Sequence, residues 1–307
     1  MTQEYFYTPD KGFSGYQNTK KTSICLGFFD GLHLGHTHIV DKALQESDNV
    51  SLLTFEGSIK YLLSKREENE VLTSVEDRKE ILSAKGVKSL FVVDFTEDIL
   101  NMDPVEFIKK ILLPLNIDTI YIGSDFRFGK AAKGNPDLLR QYFKVVEVDF
   151  IYAYDKVKIS STLIIDLIHK GEIEKANKLL GREYYINGEV IHGLGNGRKL
   201  GFPTSNIKPI TNYVIPKKGV YATLISVQGG KELLSMTDIG VHPTIDELNK
   251  LSIETNIISK DEDIYGKKIK LSFLSFIRDE QKFASVNKLV EQLTKDREAI
   301  LAKYYIA

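Results

Sequence analysis

Ser23-Ile-Cys-Leu-Gly-Phe-Phe-Asp-Gly-Leu-His-Leu-Gly-His36 opens as an apolar run and closes on glycines and imidazoles. Residues 23–29 suit a buried strand. Beyond them Ile39, Val40, Ala43 and Leu44 recur on one helical face, so a helix is expected over residues 37–45. The segment from Gly27 through Phe29 and Asp30 to His36 therefore runs from the end of a strand into a helix. Three of the six histidines, His33, His36 and His38, fall there. Imidazoles at a helix N-terminus can donate to anionic oxygens in a field that already favours negative charge. A zinc site built from His33, His36 and Asp30 competes with that arrangement, but its spacing is unlike the usual metal motifs. His38 lies within the helix and suits a structural or exposed position.

The same alternation continues outward. Strands are expected at residues 50–55, 89–95, 118–123 and 145–154. Helices are expected at 75–85, stopped by Gly86, then from the Asp103-Pro104 cap to about residue 113, and from Asn135-Pro136. Strand–helix alternation predicts a parallel sheet with helices on both faces, whose ligands sit at the carboxyl ends of the strands. Gly123-Ser-Asp-Phe-Arg-Phe-Gly129 falls at such an end, and its Asp125 and Arg127 suit a cleft or a solvated loop. Ser161 and Thr162 precede an apolar helical run and either cap it or hydrogen-bond a phosphate.

A second stretch, Gly193-Leu-Gly-Asn-Gly-Arg-Lys-Leu-Gly-Phe-Pro-Thr-Ser-Asn206, carries a different chemistry. Its glycines allow backbone to approach a ligand closely, and Arg198 and Lys199 add charge, as a polyphosphate requires. Thr204 and Asn206 point the same way on an extended segment and offer hard oxygens suited to Mg²⁺. The spacing is not that of a Walker A loop, because Arg198 stands where its second glycine belongs. A charged hairpin loop remains the plain alternative.

Past a short helix at 172–180, ended by Gly181, the pattern changes to strands at 185–192, 220–227, 233–239, 251–258 and 268–276. Ile269, Leu271 and Phe273 alternate as a half-buried strand should. A small antiparallel sheet or barrel is expected, closed by a helix over 285–304 with Leu289, Leu293, Ile300 and Tyr304 as its apolar stripe. Two domains follow, residues 1–181 and 182–307, in accord with a length of 307 residues.

Composition narrows the function. With 41 basic and 42 acidic residues, the net charge of -1 gives no electrostatic case for a nucleic-acid or membrane partner. A single cysteine, Cys25, excludes an intrachain disulfide and suits a reducing compartment. No apolar run reaches the roughly 20 residues of a membrane span. A cytoplasmic protein is expected.

These motifs, in this order, resemble the prokaryotic bifunctional riboflavin kinase/FMN adenylyltransferase (FAD synthetase) family. The H-x-G-H of His33 to His36, the 123–129 segment and Ser160-Ser-Thr162 match its nucleotidylyltransferase domain. Gly197 to Asn206, reading G-R-K-L-G-F-P-T-x-N, matches its kinase domain. The resemblance implies an α/β, Rossmann-like adenylyltransferase domain followed by a mainly antiparallel riboflavin kinase barrel with a C-terminal helix. ATP would be the co-substrate, with Mg²⁺, and the flavins riboflavin, FMN and FAD the other ligands.

The resemblance also assigns roles. His33 and His36 would stabilise adenylyl transfer, with Gly27, Phe29, Asp30, Asp125, Arg127, Ser161 and Thr162 lining the nucleotide or flavin site. Gly195, Gly197, Lys199, Gly201 and Pro203 would surround the ATP phosphates of the kinase, and Thr204 and Asn206 would hold Mg²⁺. Glu254 would be the base for the ribityl hydroxyl. Arg278 and Phe283 would line the isoalloxazine pocket. The sequence departs from the family at Ile165, where an arginine is usual, at Gly57-Ser58-Ile59 in place of Pro-His-Pro, and at Asn256 in place of a histidine. A kinase with a degenerate transferase domain and a non-catalytic flavin-binding regulator are the rival expectations.

Overall fold

A computed structural model describes residues 1–17, 19–57, 70–153, 157–192, 201–241, 251–258 and 264–305. Its contacts separate two units, residues 1–161 and 162–307.

In the first unit, strands β1 (Gln3–Thr8), β2 (Gly12–Phe13), β3 (Thr22–Leu26), β4 (Val50–Glu56), β5 (Ser89–Asp94), β6 (Ile117–Gly123) and β7 (Lys144–Val148) form one sheet. Its order is β2-β1-β5-β4-β3-β6-β7. All neighbours are parallel except the β1–β2 hairpin. Consecutive residues feed opposite faces. Ile24, Leu53, Phe91 and Ile120 enter one core cluster, while Cys25, Leu52, Leu90 and Tyr121 enter the other. Burial on both faces is why these strands read as unbroken apolar runs. The chain builds β3, β4 and β5 on one side and then crosses to β6 and β7, so the strand order reverses beside β3. That reversal opens a crevice at the carboxyl ends of β3 and β6.

Helices α1 (Leu34–Glu46), α2 (Val75–Lys85), α3 (Glu97–Asn101), α4 (Pro104–Phe107) and α5 (Pro136–Arg140) connect the strands. Ser74 and Asp77 form a capping box on α2, and Gly86 ends it in the left-handed conformation, as expected. The first strand stops at Leu26 rather than at residue 29, because the chain turns sharply through Phe29 (φ 52°) and Leu32 (φ 39°). The helix expected from Asp103 keeps α-geometry for one turn, then widens into a π-turn at Ile108–Leu112 and tightens at Leu113–Leu115. Strand β7 ends at Val148, earlier than the 145–154 expectation.

The second unit begins within α6 (Ser161–His169), followed by α7 (Ile173–Leu180). Strands β8 (Tyr184–Ile191), β9 (Ser205–Pro209), β10 (Gly219–Val227), β11 (Leu233–Val241), β12 (Leu251–Ile257) and β13 (Lys268–Arg278) close into a barrel in the order β10-β11-β12-β9-β8-β13. Asn177 of α7 donates to the Phe273 carbonyl at 2.8 Å, and the Ile168 carbonyl accepts from the Lys217 amide at 3.3 Å. These bonds are why both helices group with the barrel rather than with residues 1–161. Helix α8 (Val286–Tyr304), capped by Ser285, lays Ile300, Leu293 and Tyr304 on Val220, Ala222 and Met236.

The barrel registers decide which side chains share a surface. Ile191, Asn206, Glu254, Asp238 and Val220 lie directly opposite one another across five strands, so they form one row on one face. The alternate residues point inward. Thr223, Thr237 and Thr255 are buried and joined by hydroxyl hydrogen bonds of 2.7 and 2.9 Å.

Candidate active sites

The turn after β3 is held from behind by Arg78, a buried residue of α2. Its guanidinium donates to the Phe28 carbonyl at 3.3 Å, to Thr54 Oγ1 and the Phe55 carbonyl at 2.8 Å each, and to the Thr73 carbonyl at 3.2 Å. It also lies 3.7 Å from Asp30. The Asp30 carboxylate accepts from the amides of Leu72 and Thr73, both at 3.0 Å. Asp30 was expected to line the ligand site; instead its side chain fastens the turn. Phe29 is likewise 1% exposed and packs in the core, its ring edge-on to His36 at 5.2 Å. Two non-glycine residues of this turn, Phe29 and Leu32, are held in the left-handed region and store strain of the kind found at functional loops, while Gly31 takes its positive φ without strain. A Cβ on Gly31 would come within 2.7 Å of Leu72.

That turn delivers the two histidines. His33 caps α1, its Nδ1 accepting from the His36 amide at 3.3 Å. An accepting Nδ1 fixes the neutral tautomer with its proton on Nε2, which leaves Nε2–H as the donor. The two imidazoles stack with centroids 3.6 Å apart and planes 16° from parallel. A Cβ on Gly35 would meet the His33 ring at 3.2 Å, so glycine permits the stack. Burial lowers the pKa of His36 well below its usual value; coupling to His33, which disfavours a second proton on the stacked pair, and the charges of Arg78 and Lys158 lower it further. Its Nδ1 is buried and lacks a partner among the described residues.

Around this pair the structure gathers other expected residues. Ser161 donates through Oγ to the Asp30 carbonyl at 2.9 Å. Asp125, after β6, forms an ion pair with Lys158, whose Nζ stands 3.6 Å over the Phe150 ring. Thr162 is exposed. Gly27 and Arg127 line a cavity of about 510 Å³ whose walls include Phe28, Phe55, Phe95, Phe107, Phe126 and Phe128. Gly27 and Phe28 belong at once to this cavity and to the turn that carries the histidines.

The aromatic walls were not anticipated, although Phe28, Phe55 and Phe95 recur at or just past the ends of three strands, and that recurrence was a usable signal. Arg78 offered none: it sits in Glu76-Asp-Arg-Lys-Glu80, which reads as a solvated helix face.

In the second unit, Thr204 Oγ1 donates to Glu254 Oε2 at 3.0 Å, and Asn206 lies opposite Glu254 in the strand register. Three oxygen-bearing side chains thus share one patch. Buried Asn256 donates to the Pro203 carbonyl at 2.7 Å, which fixes the turn that presents Thr204. Phe202 is buried against the α8 cluster, with Arg297 over its ring at 5.1 Å. Gly201 adopts φ 78°. Gly195, Gly197 and Lys199 lie outside the described residues, as does most of the Gly57-Ser58-Ile59 departure.

Arg278 does not stand open as the expected polar flavin contact. Its Nε and Nη2 converge on Asp296 Oδ2 at 2.9 and 2.8 Å, while Gln292 Nε2 donates to Asp296 Oδ1 at 2.8 Å. Buried Asp296 would otherwise be an uncompensated charge, so Arg278 ties β13 to α8. Half-buried Phe283 packs 5.7 Å from the same guanidinium.

A doubly wound sheet with a histidine pair at its switch point, joined in one chain to a closed barrel bearing a carboxylate beside hard oxygen donors, defines a two-domain nucleotide-dependent transferase. A FAD synthetase family model matches residues 16–163, and a Riboflavin kinase family model matches residues 180–304. The bifunctional riboflavin kinase/FMN adenylyltransferase of Listeria monocytogenes is 38% identical over 284 residues, covering 90% of each chain. The Bacillus subtilis protein of the same name is 35% identical over 289 residues, covering 91% of each. The chain belongs to the bifunctional riboflavin kinase/FMN adenylyltransferase family. A Streptococcus pneumoniae crystal structure described as a macrolide-efflux protein superposes with a TM-score of 0.88 at 29% identity, covering 97% of this chain and 98% of that one. Among the described residues no helix is long and apolar enough to cross a membrane.

Proposed function

We propose that the chain phosphorylates riboflavin to FMN in its second domain and adenylylates FMN to FAD in its first, consuming one ATP in each step. The functional division falls at Gly181, the left-handed cap of α7. The observation that carries the reading is the phenylalanine-walled cavity of about 510 Å³ that shares Gly27 and Phe28 with the histidine turn. Such a cavity accepts a flat apolar ring system and leaves its phosphate tail near the nucleotide crevice.

In adenylyl transfer, a phosphate oxygen of FMN attacks the α-phosphorus of ATP. The bond to the β-phosphate oxygen breaks and pyrophosphate leaves. Charge grows on the phosphoryl oxygens, and the chain's task is alignment and charge stabilisation. Nε2–H of His33 is aimed for donation by the bond at its Nδ1. His36 stays neutral through burial and provides its imidazole beside it. Arg78 and Asp30 hold both in place without touching substrate.

In the kinase step, Glu254 takes the proton of the ribityl 5′-hydroxyl as that oxygen attacks the γ-phosphorus, and ADP leaves. The oxygen donors of Thr204 and Asn206 beside Glu254 fit Mg²⁺. When bound, the ion would neutralise phosphate charge. By likeness to the family, Gly195, Gly197, Lys199 and Gly201 would contact the phosphates, and Phe283 the flavin. A cytoplasmic location accords with a buried, unpaired Cys25.

Chromatography of products tests the assignment. Riboflavin with ATP and Mg²⁺ is expected to give FMN and then FAD, and FMN with ATP and Mg²⁺ to give FAD. FMN without FAD would reduce the chain to a kinase with an inert first domain. Absence of both products would leave a flavin-binding protein.

A further inference from the structure

We propose that the first domain binds a short phosphorylated sugar or polyol in a second cavity, at the amino ends of its strands. The histidine turn lies at their carboxyl ends, so this site stands apart from the adenylyltransferase crevice proposed above and does not depend on it. The cavity measures about 340 Å³, within the range of small-molecule sites. Its floor is a row of side chains on one face of the sheet. Gln3 pairs with Ser89 and Ser89 with Ser51, while Thr22 Oγ1 and Ser51 Oγ share a hydrogen bond of 2.7 Å. Two residues further along the same strands, and so on the same face, stand Tyr5, Phe91, Leu53 and Ile24, which build the core cluster of that face. The face is thus apolar in its second row but polar in its first, across the four neighbouring strands β1, β5, β4 and β3.

Tyr16 fixes one wall: its ring stands edge-on to Phe91 at 4.9 Å and its hydroxyl donates to the Leu115 carbonyl at 3.2 Å. Gln17, Thr19 and Asn49 add further polar groups to the lining. Hydroxyls and carboxamides both donate and accept, which suits the successive hydroxyls of a polyol. Charge then selects an anion. Lys20 and Lys88 line the same cavity, and none of its described lining residues is Asp or Glu. Other lysines of this domain are paired, Lys21 with Asp118, Lys79 with Glu4 and Lys85 with Asp41. Lys20 and Lys88 have no ion-pair partner among the described residues. Two ammonium groups facing a cavity without a carboxylate leave a positive field that a phosphate would neutralise, and lysine serves phosphate as a point charge.

Calorimetric titration of the full chain tests the site, with saturating MgATP present to occupy the nucleotide sites. Ribose 5-phosphate is the probe, and ribose and inorganic phosphate are its two halves. Ribose 5-phosphate is expected to bind, and each half to bind markedly more weakly. Replacing both lysines, Lys20→Met with Lys88→Met, is expected to weaken binding by roughly 10- to 100-fold, the range for losing a charged hydrogen bond. Ser51→Ala should weaken it several-fold by removing a hydroxyl from the floor. In the lysine variant, riboflavin phosphorylation, FAD formation and the melting transition should match wild type and so report an intact fold. Failure of ribose 5-phosphate to bind, or binding that the lysine substitutions leave unchanged, would overturn the proposal. Inorganic phosphate binding as tightly as ribose 5-phosphate would also overturn it, by reducing the cavity to a patch that attracts any anion.

Discussion

The hydroxyl of Thr204 donates to the carboxylate of Glu254 across 3.0 Å, although fifty positions of sequence separate them. The contact exists because β9 and β12 are neighbours in the barrel and Asn206 pairs with Glu254. It puts the expected base and the expected metal donors on one patch.

Glu254→Gln keeps the hydrogen bond from Thr204 but cannot accept the ribityl proton. FMN formation is expected to fall by about 10²–10⁴-fold, the usual contribution of a general base. Riboflavin binding and the conversion of supplied FMN to FAD should persist. Unchanged FMN turnover would remove Glu254 from catalysis.

Asn256→Ala strips the Pro203 carbonyl of its buried donor. The loss should be about 1–3 kcal/mol of stability, the cost of an unsatisfied buried group. KM for MgATP in the kinase reaction should rise because the Thr204 turn loosens. Denaturant titration and kinase assays check the two effects, and a stability within 0.3 kcal/mol of wild type, taken as roughly the scatter of surface substitutions, would contradict the first.

Arg78→Met removes the guanidinium that spans the β3 turn, the end of β4 and the start of α2. Breaking a buried, multiply bonded charge costs about 3–5 kcal/mol. FAD formation should be lost while riboflavin phosphorylation survives. A melting transition indistinguishable from wild type would show that the turn is held by other contacts.

His36 sets a pH dependence. Its pKa is lowered in the folded chain by burial first, then by coupling to His33 and by the Arg78 and Lys158 charges. The unfolded chain therefore binds a proton that the folded chain refuses. This contribution to stability is complete above about pH 6.5, the unperturbed histidine value, and declines as pH falls below it. Denaturation of wild type and His36→Asn at pH 7.5 and 5.5 should show a smaller decline in the variant. An equal decline would relieve His36 of the effect. FAD formation should also show no inflection near pH 6.5 traceable to this residue.

Phe126→Ala opens the wall of the aromatic cavity. KM for FMN should rise roughly tenfold, near the value of one lost aromatic contact, and KM for ATP should hold. Steady-state kinetics with each substrate varied in turn would separate the two. A rise confined to ATP would place the flavin elsewhere.

Sequence alone determined the alternation of strand and helix, the caps at Asp103 and Asn135, the stop at Gly86, and the motifs around His33, His36, Thr204 and Asn206. These are local: a period of 3.6 or 2, a cap or a glycine is written within a few residues. Tertiary structure decided the rest, because it depends on which distant segments meet. It gave Asp30 and Arg278 structural ties that their motifs do not announce, since each found a charged or amide partner far along the chain. It placed Arg78 in the interior, although its neighbours Glu76, Lys79 and Glu80 read as solvent-facing, because the turn gathers several buried acceptors at one point. It brought Phe28, Phe55, Phe95 and Phe126 together from four separate strand ends. A residue's type fixes what it can bond, and the fold fixes what is there to be bonded.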